Sequence, residues 1–434
     1  MKSTLRVAGL VLALSPLVAA QNADPVTREM VERLLSRIDT LEKRVADLEK
    51  EKGGAPANAV VAAPSTTTRP SEQQAHLDHD QAPPPSEAGR TSYPALKISG
   101  YADISFAATD LHGASGGFGA ATLLGAHTGF QEGQFILHLS SALSPKVSVF
   151  SELSLTARAD AGTGTPPATG FNAEVERISI RYALNDRLKL SFGRYHTPIN
   201  YWNTAFHHGS WLQTTISRPE MIQFGTTFLP VHFVGALAQG TFPARGLNFD
   251  YNLGIGNGRG SVLSRAGDFG DANNNRAWLA AFSIKPDKLY GLQVGGSVYR
   301  DLLSPATGTA MREWIQSGHI VWQREPFEVL AEMSNVQHLA TIGTGTSNSQ
   351  AFYVQPAYRL PVYDGRVKPY YRFEYMHIPL SDPLFRTLPS YNSSTLGTRY
   401  DISSFAAFKL EYRRYIRRAL PNINGLFVQT SFTF

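Results

Sequence analysis

The chain has 434 residues, 42% of them hydrophobic, with a formal net charge of +5 and no cysteine. Mean hydropathy is −0.19. Beyond the first twenty residues no apolar run approaches the ~20 residues that a spanning helix needs, which excludes a helical membrane protein. The lack of cysteine excludes disulfides, thiolate nucleophiles and Cys-type zinc sites, and the small, dispersed charge excess argues against a nucleic-acid partner.

Residues 1–20 read as a signal peptide. Lys2 and Arg6 form the positive end, Val7 to Leu14 the short apolar core, and Val18-Ala19-Ala20 a small-residue cleavage site before Gln21. Within residues 21–52 a coiled coil is expected, periplasmic after export. Val31, Leu34, Ile38, Leu41, Val45 and Leu48 alternate spacings of three and four, Asp24-Pro25 suits a helix start, and Gly53-Gly54 stops it. Arg37 and Arg44 precede Glu42 and Glu49 in g-to-e register. The runs Arg37-Ile38 to Leu41-Glu42 and Arg44-Val45 to Leu48-Glu49 both resemble a short trimerisation motif. The β-branched a and Leu d positions alone favour a dimer. The repeated motif decides for a trimer.

Residues 53–93, rich in Ala, Pro, Ser and Thr, read as a flexible linker. Its His76, Asp78, His79 and Asp80 are not assigned to a metal, because a floppy tract lacks the fixed geometry of a site.

Residues 94–434 read as an all-β transmembrane barrel of about sixteen antiparallel strands. In 96–106, Ile98, Gly100, Ala102, Ile104 and Phe106 fall on one face and Ser99, Tyr101, Asp103 and Ser105 on the other. Fifteen further segments follow at about 132–142, 147–157, 174–184, 188–195, 231–240, 247–256, 276–285, 290–300, 311–323, 327–337, 350–360, 367–377, 394–402, 405–414 and 425–434. Trp278, Trp322, Tyr371, Tyr375 and Tyr412 sit near strand ends, as an interfacial girdle requires. Short turns at 144–146, 185–187, 241–246, 286–289, 324–326, 361–366 and 403–404 should alternate with longer loops at 107–131, 158–173, 196–230, 257–275, 301–310, 338–349, 378–393 and 415–424. In the last strand Leu426, Val428, Thr430, Phe432 and Phe434 share one side, opposite Gln429, Ser431 and Thr433.

That closing strand with its terminal aromatic resembles the last strand of bacterial outer-membrane barrels. The run Gly193-Arg194-Tyr195-His196-Thr197-Pro198 resembles the segment leading into the constriction loop of Gram-negative porins. With the coiled coil in front, the chain resembles trimeric porins of the DcaP-like and phosphate-selective O/P group. The architecture matches over 21–434, and the motifs around 190–220 and at the C-terminus. The resemblance implies a homotrimer in outer-membrane lipid and lipopolysaccharide. It also implies a terminal Phe434 read by the barrel-assembly machinery, and a pore passing small anionic solutes such as phosphate or carboxylates.

Alternation places Arg177, Arg181, Lys189 and Arg372 on inward faces, with Arg359, Lys368, Arg399, Lys409 and Arg413. Rings of Arg and Lys line anion-selective pores. Beyond residue 90 there are 29 Lys+Arg against 23 Asp+Glu, and Glu152, Asp250, Glu328, Glu332, Glu374 and Glu411 also point inward, so many basic groups could pair with acids across strands. The long connection 196–230 is aromatic and poor in charge, which suits an ordered, functional loop. Its segment 196–218 is expected to fold inward and narrow the pore, with Arg194, His196, Tyr201, Trp202, His207, His208 and Arg218 at the constriction. A carbohydrate or non-selective pore would use Tyr201, Trp202, Trp211 and Tyr353 as an aromatic slide. A tether to the peptidoglycan through the coiled coil is a further reading. His207-His208 with His196 lack a matching carboxylate or nucleophile spacing, so no catalytic residue, metal or cofactor is assigned.

Overall fold

The computed structural model describes residues 93–110, 128–157, 170–223, 228–306, 308–343, 345–386 and 388–434. The expected signal peptide, coiled coil, linker and trimerisation residues Arg37 to Glu49 lie outside the described residues.

Sixteen strands run β1 Ala95–Thr109, β2 Gly129–Ala142, β3 Val147–Ala157, β4 Phe171–Asn185, β5 Leu188–His196, β6 His232–Ala244, β7 Leu247–Gly256, β8 Ala277–Pro286, β9 Leu292–Leu303, β10 Met311–Arg324, β11 Phe327–Ala340, β12 Thr346–Tyr358, β13 Val367–His377, β14 Tyr391–Ser403, β15 Ala406–Arg417 and β16 Ile423–Thr433. Each pairs antiparallel with its neighbours in sequence, and β1 pairs with β16, so the sheet closes into a barrel. Closure leaves no strand edge unpaired. Period-two alternation then sorts the side chains. On β4, Ile178, Ile180, Tyr182 and Leu184 are exposed on the outer surface. On β15, Lys409, Glu411 and Arg413 are fully buried inside, between the exposed Phe408, Leu410 and Tyr412. An apolar exterior over a charged interior is the pattern of a sheet set in hydrocarbon around an aqueous lumen.

Three local features depart from the simple reading. The turn expected at 241–246 is only Arg245-Gly246, because β6 stays paired with β7 to Ala244. Arg245 and Gly246 have φ of 51° and 80°, the two successive positive values of a tight hairpin turn. Connection lengths do not alternate strictly. The connection 359–366 on the short-turn end is longer than 341–345 and 418–422 on the other, because β11, β12, β15 and β16 all extend past their expected limits there. Finally, β4 slips register between its pairs Glu152↔Arg177 and Leu153↔Val175. This bulge buries the consecutive side chains Glu176 and Arg177 together.

The seam between the chain ends is tight. Gly100 and Phe434 exchange backbone hydrogen bonds of 3.0 and 3.1 Å, and the Phe434 ring stacks on Phe135 at 5.7 Å. A Cβ on Gly100 would lie 2.5 Å from both the Phe434 ring and Ile136 O. Gly100→Val is therefore expected to weaken the barrel by ~1–3 kcal/mol, the usual cost of overpacking. Urea unfolding followed by loss of heat-modifiable gel mobility reads it, and wild-type stability would contradict this closure.

Candidate functional site

The 197–231 connection starts from a forced geometry. Gly193 has φ of +142°, and a Cβ there would fall 2.0 Å from Ile178 O, so β5 can approach β4 at this point only with glycine. Three residues on, His196 pairs with His232 across β5 and β6, and Thr197 N–H donates to Val231 O at 3.0 Å. Asn203, in a single helical turn Trp202–Ala205, donates from Nδ2 to Thr197 O and Val231 O at 2.8 and 2.9 Å, clamping the two stems.

From there the chain reaches strands far from its own stems. Asn200 donates to Ser334 on β11 and Tyr201 to Gln323 on β10, while Ser210 donates to Asp103 on β1. The loop backbone has almost no regular structure, so its buried N–H and C=O groups need side-chain partners. Charged wall residues supply them. Carboxylates accept from the loop N–H groups: Glu332 from Trp202 at 2.7 Å, Glu411 from Ile216 at 3.1 Å and Glu374 from Glu220 at 2.8 Å. Cations donate to loop carbonyls: Arg372 to Ser217 O at 2.7 Å, Lys409 to Thr215 O at 3.0 Å and to Ser210 O, and Arg399 to Trp211 O at 2.7 Å. The same charges also pair with one another. Arg372–Glu374, Arg399–Asp401 and Arg413–Glu411 are second neighbours on one strand, while Arg177–Glu152, Lys285–Asp250 and Lys368–Glu328 are the cross-strand pairs that alternation suggested.

The structure separates the expected pore residues. Tyr201, Trp202, Arg218 and Arg372 are buried in or under the loop. Trp202 packs edge-on against Tyr353 at 5.9 Å, and Arg218 donates to Ile222 O and His207 O. Arg194 lies against Glu174, Asp268 and Glu176 at 3.2, 3.0 and 3.9 Å. Arg177 and Arg181 stay on the β4 wall. Together with His196, Ser148, Ser179, Ser191, Gln239 and Asn252 they line a cavity of about 180 Å³ that contains no carboxylate. Arg181 Nε donates to Ser191 Oγ at 3.3 Å, and Arg177 pairs with buried Glu152 at 2.6 Å. Lys189 is half-buried farther along β5.

His196, His207 and His208 come together, with His232 as a fourth member. The His196 and His207 ring centres are 3.8 Å apart, and His207 and His232 are 4.7 Å apart. Burial, then the neighbouring His196 and His208, holds His207 well below the usual imidazole range, so it is neutral at neutral pH. Sequence reasoning missed His232 and Glu176. The signal for His232 was its place at the far stem of the same loop. For Glu176 it was a carboxylate on what alternation made the lipid side, a position that a bulge had to correct.

The fold is a closed, sixteen-stranded antiparallel barrel of the porin-like kind, with described residues of the 197–231 connection hydrogen-bonded to Ser334, Glu332, Arg372 and Lys409. No protein-family model and no curated protein matches the sequence. Among solved structures the chain is similar to an anion-selective porin from Comamonas acidovorans, with a TM-score of 0.55 at 10% identity over 79% of this chain and 100% of that one. It is also similar to the outer membrane channel DcaP of Acinetobacter baumannii (TM-score 0.51, 12% identity, 80% and 100% covered) and to Salmonella typhi OmpF in complex with daunomycin (0.50, 10%, 78% and 97%).

Arg372→Ala strands Ser217 O and leaves Glu374 buried without its guanidinium, a defect worth ~3–5 kcal/mol. The expected outcome is faster hydrogen exchange at the Ile216 and Glu220 amides while β13 stays protected. Unchanged exchange at both amides would show that this arginine does not hold the loop.

Proposed function

We propose that the protein is an outer-membrane porin, exported through residues 1–20, that allows passive diffusion of small hydrophilic solutes and favours small anions. The chain acts as a homotrimer organised by the 21–52 coiled coil, and Phe434 serves the assembly machinery. Segment 196–218 narrows the lumen. One observation carries the anion preference: the cavity beside the loop offers Arg177, Arg181 and the hydroxyls of Ser148, Ser179 and Ser191, with no acidic lining. Guanidinium and hydroxyl donors suit the oxygens of phosphate or carboxylate. We assign Arg177 and Arg181 to the solute, Arg218 and Arg372 to holding the loop, and Arg194 to bracing β5 against β4 and the β7–β8 connection. A sugar pore is less well supported, because Trp202 and Tyr353 are buried under the loop and do not continue the half-buried Trp211 and the cavity-lining Tyr201 into one aromatic track.

The test is the reversal potential of the purified protein in a planar bilayer under a KCl gradient. The anion-selective sign is expected, with conductance steps in threes, and Arg181→Ala should lower the anion-to-cation permeability ratio severalfold. Weak or cation selectivity in the wild type would overturn the anion assignment. Absence of conductance would overturn the porin reading and favour a tether to the cell wall.

A further inference from the structure

The four histidines at the loop base are the densest cluster of metal-type donors among the described residues. His196 ends β5 and His232 begins β6, and the loop returns His207 and His208 over that pair. All four are buried, with one candidate ligand atom from each lying within 4.8 Å of the others. Around a tetrahedral ion with bonds of ~2.0–2.1 Å the donor nitrogens stand about 3.4 Å apart, so the rings need to draw in by about an ångström, which rotation of side chains on the loop can supply.

The surroundings match a metal site's outer shell. Glu152 Oε2 lies 3.4 Å from His196 Nε2. Glu176 lies 2.9 Å from His232 Nε2 and 3.4 Å from His208 Nε2. Asn203 Oδ1 is 2.8 Å from His207 Nδ1, and Gln134 Oε1 is 3.4 Å from His208 Nδ1. His196, His207 and His232 each turn one nitrogen to an oxygen acceptor, the arrangement that fixes a ligating imidazole, while His208 faces Glu176 with one nitrogen and Gln134 with the other and must exchange one of these contacts for the metal. Buried His196 Nδ1 makes no hydrogen bond among the described residues. The carboxylates also balance the nearby cations, since Glu152 pairs with Arg177, and Glu176 lies near Arg194. Access exists from two sides: His196 lines the cavity described above, and His207 lines a second one with Asp103, Gln134 and Gln429.

We propose that His196, His207, His208 and His232 bind one late first-row divalent cation, of which zinc(II) is the type, tying the loop to both of its stems. All-nitrogen donors select this class over magnesium or calcium, which take oxygen. The bound ion adds a cross-link between the loop and the paired strand ends at its base, so it should quiet loop motion.

The full-length protein in detergent, stripped with EDTA, is titrated calorimetrically with zinc chloride. One zinc per chain is expected, and zinc-edge X-ray absorption should give four imidazole nitrogens at ~2.0 Å. His207→Gln with His208→Gln should weaken binding by about 100-fold or more, as loss of two ligands exceeds the effect of losing an outer-shell partner. His76→Ala with His79→Ala in the linker should leave it unchanged. No saturable binding by the wild type tighter than on the order of 100 µM would overturn the proposal. Loss of binding in the linker variant, or a first shell dominated by oxygen, would do so equally. The absorption spectrum needs no variant, so a misfolded double mutant does not protect the idea.

Discussion

A long stretch of irregular backbone buried inside a barrel faces one problem: each main-chain donor and acceptor left without water costs ~1–3 kcal/mol if it finds no partner. The loop between β5 and β6 solves it with charge. Glu332, Glu374 and Glu411 take its N–H groups, and Arg372, Arg399 and Lys409 reach its carbonyls. Each charge is in turn desolvated, and the Arg372–Glu374 and Arg413–Glu411 pairs offset that cost locally. The alternating acids and bases on β13 and β15 are thus the loop's binding surface. This changes the meaning of the charge count: much of the basic excess on inward faces is committed to the loop, whereas Arg177 and Arg181 on the β4 wall line a cavity without a carboxylate.

The bulge on β4 has a similar economy. Without it, Glu176 would point at lipid. With it, two consecutive side chains enter the lumen, Arg177 to meet Glu152 and Glu176 to meet His208 and His232. A single inserted residue therefore places Glu176 beside the histidines and brings Arg177 against Glu152 of β3.

The barrel was legible in the sequence because a strand between hydrocarbon and water must alternate. That constraint acts on every residue, so sixteen strands, their facing and the closing segment through Phe434 could be read by parity alone. Parity says nothing where alternation breaks, which is why it does not find Glu176, and why strand pairing that runs past its hydrophobic segment, as at Thr241–Ala244, reads as a turn. The site was half legible. His196, His207, His208 and Trp202 lie in one conspicuous segment, but what they touch depends on contacts between residues as far apart as Ile216 and Glu411. No local pattern announces such a partner. His232 was passed over for the same reason, since its relation to His196 is a matter of strand register.

In the proposed function the loop, held by wall charges, sets the bore. The most direct measurement is the single-channel conductance of a chain in which residues 199–223 are replaced by a short glycine bridge, compared with the intact protein in the same salt. The account predicts severalfold larger conductance with weaker ion selectivity. A folded barrel with unchanged conductance would show that the constriction lies elsewhere and would contradict it.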